Sequence, residues 1–234
     1  MSFDESNEKP DCLLLESCEL FAGIPSDIRI KVMNSATTRY FERRQKLFFM
    51  GEPVGKVLLL VEGCVKLTQF TERGDEVILR LQKPGEVVGR PDWAPGELHS
   101  YTAQALQECR VLVWDARTLQ TAKEVFPQLQ RNVNKLIGSA LNKLQLRYCA
   151  IATGEVRTRL AQGVLQVLEE IGQKVNSHVE ICLSQEELGQ MTGVSHWAVC
   201  RELTKWEQEG LVTGRRGVIE VQNVPGLLSL CRAN

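Results

Sequence analysis

Residues Leu183–Glu207, LSQEELGQMTGVSHWAVCRELTKWE, constrain the chain more than any other stretch. Ser184 precedes an apolar-periodic run and Glu187 lies three residues on. At that spacing each side chain satisfies a free backbone N–H at a helix start. Leu188 and Met191 then share a face, and Gly193 supplies the permissive residue that a sharp turn between helices needs. A second helix is expected from about Ser195 to Glu207, with Val199, Leu203 and Trp206 at i, i+4 and i+7 as its buried stripe. Outward at its N-terminal end stand Ser195, His196, Trp197, Cys200 and Arg201, where a recognition helix reaches base edges in a major groove. Leu211–Val221 reads as the hairpin wing of a winged helix, with a Gly214-Arg-Arg-Gly217 tip. Arg201 and Lys205 on the helix and Arg215 and Arg216 on the wing are placed for DNA phosphate.

Charge gives this reading no help. The chain of 234 residues carries a net charge of −1. From Glu155 onward eight basic residues face ten acids. Phosphate binding must therefore rest on local placement. With 43% hydrophobic residues, one large or two ordinary domains are expected. No run of eighteen apolar residues and no signal-like N-terminus occurs, which suggests a cytoplasmic protein without membrane association. The eight cysteines are scattered and include no Cys-x-x-Cys pair, so neither a zinc finger nor a thioredoxin-type site is supported. There is no phosphate-cradling Gly-rich loop, no Gly-x-Ser-x-Gly and no His-Glu-x-x-His, and an enzyme is not expected. The pairs Glu169-Glu170 and Glu186-Glu187 read as solvated helix surface.

Ahead of the two-helix unit the periodicity changes twice. After a Gly-Ile-Pro-Ser break, Ser26 or Asp27 is placed to cap a helix through Asn34. From Thr38 to about Asp115 the pattern has period two. Val57–Val61, Cys64–Phe70, Glu76–Leu81 and Cys109–Trp114 read as strands, divided by turn signals such as Glu62-Gly63, Lys83-Pro-Gly85 and the hairpin tip Arg73–Glu76. Short strands at this spacing suggest an antiparallel jelly roll. Pro127 then opens a long helix with a stripe of Leu129, Val133, Leu136, Ala140, Leu144, Tyr148 and Ile151. It suits a two-stranded coiled-coil seam, the alternative being a helix packed on its own barrel. A break at Thr153-Gly154 precedes a helix from Glu155 to about Gly172 and a short strand, Val179–Leu183.

This order resembles the Crp/Fnr family of bacterial transcription regulators. The resemblance covers nearly the whole chain and rests on Lys83-Pro-Gly-Glu-Val-Val-Gly89, on Tyr101-Thr-Ala-Gln-Ala-Leu106 and above all on Leu183–Leu203. It implies an α+β protein in three parts. These are a cyclic-nucleotide-binding-like barrel over residues 1–127, a dimerisation helix over 128–154 and a winged helix-turn-helix over 155–234. It further implies a homodimer that senses a signal in the barrel, binds a palindromic operator in double-stranded DNA and contacts RNA polymerase, with Thr71–Glu76 as a candidate contact.

Carried over residue by residue, the effector pocket would comprise Gly85, Glu86, Val88, Gly89, Arg90, Tyr101 and Thr102, with Leu144 and Gln145 reaching in from the dimer helices. Cyclic-AMP-binding members place a glutamate and an arginine where this chain has Arg90 and Tyr101, and no arginine occurs in Glu97–Gln107. A cyclic phosphate would lose its bidentate guanidinium partner, so cyclic AMP in the usual mode is not expected. Iron–sulfur members use an N-terminal cysteine cluster with a distant barrel cysteine. Cys12, Cys18, Cys64 and Cys109 are the only candidates for such a cluster or a redox switch, and the close cysteine pair is missing. Haem ligation by His99 is also not favoured. At the DNA, Arg201 is the candidate for bidentate pairing with guanine. Trp197 would pack on a thymine methyl or sugar or serve structure, and His196 would touch phosphate.

Overall fold

The structure, a computed structural model, describes residues 18–90, 92, 96–175, 178–215 and 217–232. After a 3-10 turn at Glu19–Phe21 and helix α1 (Ser26–Asn34) come eight strands: β1 (Thr37–Phe41), β2 (Lys46–Phe48), β3 (Lys56–Glu62), β4 (Val65–Phe70), β5 (Glu76–Gln82), β6 (Val87–Val88), β7 (Thr102–Ala105) and β8 (Cys109–Asp115). They form two antiparallel four-stranded sheets, ordered β1-β8-β3-β6 and β2-β7-β4-β5. Helices α2 (Ala116–Val125), α3 (Pro127–Thr153) and α4 (Val156–Ile171) follow. The C-terminal unit holds β9 (Gln173–Val175), β10 (His178–Ile181), α5 (Gln185–Thr192), α6 (His196–Gln208), β11 (Val212–Arg215), β12 (Val218–Val221) and α7 (Val224–Arg232). Its sheet runs β11-β12-β10-β9.

Residues 57–61 of β3 are all buried, although neighbours on a strand point to opposite faces. Both faces of this sheet are covered. Leu58, Leu60, Val111 and Val113 point at the second sheet, packing with Val65, Leu67 and Ala103. Val57, Leu59, Leu112 and Trp114 point the other way, onto Phe21, Leu119, Leu129 and Val133. A strand covered on both faces reads as a continuous apolar run rather than an alternation. The second sheet is covered on its far side by the C-terminal unit. There Ile78 and Leu81 join a core with Leu160, Leu188, Met191 and Trp206.

Helix α3 changes environment along its length. Leu129 and Val133 are buried on the barrel, and Asn132 donates to the carbonyls of Leu20 (2.9 Å) and Ala22 (2.8 Å). From Ile137 on, the apolar residues Ile137, Leu141, Leu144, Tyr148 and Ile151 are exposed, at alternating spacings of four and three. The stripe expected as one seam is therefore two surfaces. Its first third packs on its own barrel, and the remaining apolar face is shifted to include Ile137 and Leu141.

Three further expectations need correction. Neither Ser26 nor Asp27 caps α1; Pro25 occupies the cap position and no side chain bonds the first turn. Glu170 is not solvated, since burial raises its carboxyl above the usual range. Glu187 is half-buried and ion-paired to the barrel.

Candidate nucleic-acid interface

The helix-turn-helix forms as its local chemistry dictates. Ser184 Oγ accepts from the Glu187 N–H at 3.1 Å, and Glu187 Oε2 accepts from the Ser184 N–H at 2.9 Å, closing the capping box. Gly193 ends α5 in the left-handed region at φ +66°, which a β-carbon disfavours. Gly189 is required for a different reason. A Cβ there would lie 2.7 Å from the Val194 carbonyl, so only glycine lets the turn fold back onto α5.

Ser195 caps α6, its Oγ accepting from the Ala198 N–H at 3.4 Å. Val199, Leu203 and Trp206 are buried, as their spacing requires. Trp197 is 84% exposed, and His196 packs edge-on to it with ring centroids 6.4 Å apart. Cys200 Sγ donates to Gln185 Oε1 at 2.9 Å and lies 3.5 Å from His196 Nε2, which ties this face to the start of α5. The Arg201 side chain is 68% exposed, with Glu202 Oε1 only at 3.9 Å. Lys205 is more firmly held, its Nζ 2.7 Å from the same oxygen. The wing arginine Arg215 pairs through Nε with Glu220 Oε1 at 2.5 Å. Arg216 lies outside the described residues. His196, Trp197, Cys200 and Arg201 thus gather on one face, with Lys205 and Arg215 held by carboxylates.

Residues that sequence reading passed over join this unit to the barrel. Lys66, the second residue of β4, is 7% exposed in its side chain and reaches Glu76 Oε2 at 3.5 Å and Glu187 Oε1 at 3.6 Å. The capping box is therefore also an interdomain ion pair. Arg147 of α3 donates to the Ile78 carbonyl at 2.6 Å and also to the carbonyls of Leu79 and Met191. One guanidinium thus joins long helix, barrel and helix-turn-helix. A lysine alternating with apolar residues reads as solvent-facing, and no local signal marks it as buried.

The residues expected at the effector pocket are separated or engaged in structure. Gly85 N–H donates to the Leu60 carbonyl at 2.8 Å, and Glu86 Oε2 accepts from Gln82 Nε2 and the Lys83 N–H. Val88 is core. Gly89, at φ +100°, lies so close to Phe48 that a Cβ would stand 3.1 Å from its ring. Arg90 is clamped by Asp92 (2.5 and 2.9 Å) and Glu97 (2.7 Å), which leaves its guanidinium committed to carboxylates. Tyr101 is half-buried, which raises its hydroxyl pKa, and Thr102 Oγ1 accepts from the Met50 N–H at 3.1 Å. Leu144 and Gln145 are both exposed on α3, and it is the neighbouring Lys143 that reaches Glu86 Oε1, at 3.9 Å.

Of the candidates for a cluster or a redox switch, Cys18, Cys64 and Cys109 are all buried, each among a different set of apolar side chains. Cys18 donates to the Gly85 carbonyl at 3.2 Å, and burial pushes its thiol up to about 11. Cys109 donates to the Cys64 carbonyl at 3.3 Å, and burial raises both thiols. Cys12 lies outside the described residues. A buried neutral thiol is neither a good nucleophile nor a ready metal ligand. His99 is buried and stacks on Phe48 at 3.8 Å, and burial lowers its proton affinity.

Two family models match the chain. One is the cyclic nucleotide-binding domain over residues 38–124, and the other is the Crp-like helix-turn-helix domain over residues 158–230. The chain is 24% identical over 210 residues to the transcriptional activator protein anr of Pseudomonas aeruginosa, covering 87% of this chain and 84% of that protein. It is 21% identical to the CRP-like cAMP-activated global transcriptional regulator of Mycobacterium tuberculosis, covering 85% and 90%. Among solved structures it resembles FixK2 from Bradyrhizobium japonicum with a TM-score of 0.73 at 19% identity, covering 85% of this chain and 98% of that one. A CRP-family transcriptional regulator from Thermus thermophilus gives 0.74 at 21% identity, covering 83% and 97%. Both modules occur in the family's order, joined by the long helix, and the chain belongs to the Crp/Fnr family of transcriptional regulators.

Proposed function

We propose that the protein acts as a homodimer that reads a palindromic operator through α6 and responds to a signal other than cyclic AMP bound in the usual mode. The observation that carries the DNA reading is the open N-terminal face of α6, where Trp197 and Arg201 project into solvent above a fully capped helix-turn-helix. The dimer is supported by the exposed run Ile137, Leu141, Leu144, Tyr148 and Ile151, whose four–three spacing is that of a coiled-coil seam. The departure from cyclic AMP is supported by Arg90, which is held by two carboxylates where a nucleotide-binding member would offer a glutamate. The raised thiols of Cys18, Cys64 and Cys109 argue against a switch at those sulfurs. The hairpin tip Thr71–Glu76, exposed through Asp75, is the surface we assign to RNA polymerase contact, and the cytoplasm is where these activities would meet.

Footprinting on DNA upstream of the gene tests the reading directly. Two half-sites one helical turn apart, about 10 bp, are expected. Arg201→Ala should relax discrimination at one symmetric base pair by about 1–3 kcal/mol. A uniform loss across sequences would instead assign Arg201 to phosphate. Leu141→Asp places a charge in the seam and should convert a dimeric native mass into a monomeric one; an unchanged dimer would move the interface elsewhere.

A further inference from the structure

We propose that the outer face of the wing sheet is a divalent transition-metal site built from His178, Glu180 and Glu220, and that filling it strengthens the wing's hold on DNA phosphate. Strand register alone brings the three donors together. His178 and Glu180 are two apart on β10 and so share a face. Glu180 stands directly opposite Glu220 on β12. The alternate residues Ile181, Ile219 and Val221 point the other way, into the core. His178 Nε2 lies 3.2 Å from Glu180 Oε1 and 3.9 Å from Glu220 Oε2. One donor atom from each residue lies within 4.8 Å of the others. Bonds of about 2.0–2.2 Å from zinc to nitrogen or oxygen set neighbouring donors a little over 3 Å apart, so small rotations would close this set on an ion.

The surrounding charge favours a cation. Carboxylates directly opposite each other on antiparallel strands repel, and here one of them, Glu220, is only 4% exposed. Arg215 answers part of that charge from the Oε1 side of Glu220. Glu220 Oε2 faces His178 and accepts from Gln222 Nε2 at 3.3 Å. Arg215 and Gln222 thus orient the carboxylate from outside, as outer-sphere partners do at metal sites. With a neutral imidazole, the four groups His178, Glu180, Glu220 and Arg215 carry a net charge of −1 at the base of a hairpin that must approach phosphate. A divalent ion turns this to +1. Imidazole with two carboxylates suits Zn²⁺, Co²⁺ or Mn²⁺. The partial exposure of His178 and Glu180 leaves a side open for entry and for bound water.

Metal binding stands on these residues alone, whereas its effect on DNA rests on the proposed function. The test uses the full chain, stripped with chelator and titrated with Co²⁺. One equivalent should bind with the visible spectrum of a nitrogen–oxygen site and without thiolate charge-transfer absorption. His178→Ala and Glu180→Gln, both on partly exposed positions, should each weaken binding by more than the roughly 10–100-fold that loss of an outer-sphere partner costs, while leaving metal-free thermal unfolding unchanged. No binding at submillimolar Co²⁺ overturns the site. So does binding through thiolates that ignores His178→Ala. On the footprinted DNA, Zn²⁺ should raise wild-type affinity several-fold at low salt and leave Glu180→Gln unaffected. Metal binding with unchanged DNA affinity overturns the coupling alone. Failure to bind DNA with or without metal refutes the DNA reading instead.

Discussion

Replacing Lys66 with methionine keeps the apolar stem and removes the charge between barrel and helix-turn-helix. In the native protein its ammonium lies 3.5 Å from Glu76 and 3.6 Å from Glu187. At an effective dielectric constant of about 20, each separation corresponds to a gross attraction of about 4–5 kcal/mol. Desolvating the ammonium returns several kcal/mol of this, and breaking a fully buried pair costs about 3–5 kcal/mol. Both carboxylates keep about a fifth of their exposure and can turn toward water, which lowers the cost further. The expected loss is about 2 kcal/mol, read as a shift of the urea midpoint at unchanged slope. Glu187→Gln and the double variant complete a cycle, in which the pair should show a coupling of about 1 kcal/mol. A loss under about 0.5 kcal/mol, within the range of ordinary surface substitutions, would refute the reasoning. The ion pairs would then only offset their own desolvation, and apolar packing of Ile78 and Leu81 would hold the two units together.

Ser184→Ala opens the capping box and should cost about 1 kcal/mol in urea unfolding, with Ser184→Asp restoring most of it. Gly189→Ala should be more damaging, because its Cβ meets backbone, the Val194 carbonyl, rather than a side chain that can move; an unchanged midpoint would show that the turn yields easily. Alkaline pH supplies the remaining test. The Cys18 thiol is raised by burial from 9.0 to about 11 in the folded protein. Its contribution is complete below about 9, and is lost between about 9 and 11 as the unfolded chain ionises and the folded one does not. Stability should therefore fall across that window, less so in Cys18→Ala after its own packing loss is subtracted.

The parts of the protein legible in sequence are those whose cause is local. Ser184, Glu187, Gly193 and Ser195 form their caps and turn within a few residues of chain, and the predicted helices follow almost to the residue. In the barrel the strands that periodicity marks are the four long ones, and in the C-terminal unit it marks β10 and the wing hairpin. β2 and β6 are three and two residues long and exist only because a distant strand pairs with them, while the three-residue β9 forms as the local hairpin partner of β10. Helix α3 shows the limit most clearly. Its apolar spacing is continuous in sequence, yet Leu129 and Val133 bury on the barrel while Leu141 and Leu144 stay exposed. Periodicity reports that a face is apolar; it does not say what covers that face.

The same division governs the candidate sites. By itself the sequence determined the two-helix reader, its buried stripe, and the outward set His196, Trp197, Cys200 and Arg201, because 3.6-residue periodicity alone assigns those faces. Tertiary structure alone decided that Lys66 meets Glu187, that Arg147 joins three units, that Arg90 is clamped by Asp92 and Glu97, and that Glu180 faces Glu220. Each of these turns on which side chains strand pairing and domain packing bring within a few ångströms. A charge's partner and its exposure to water depend on three-dimensional neighbours, and those fix whether it binds, locks or repels.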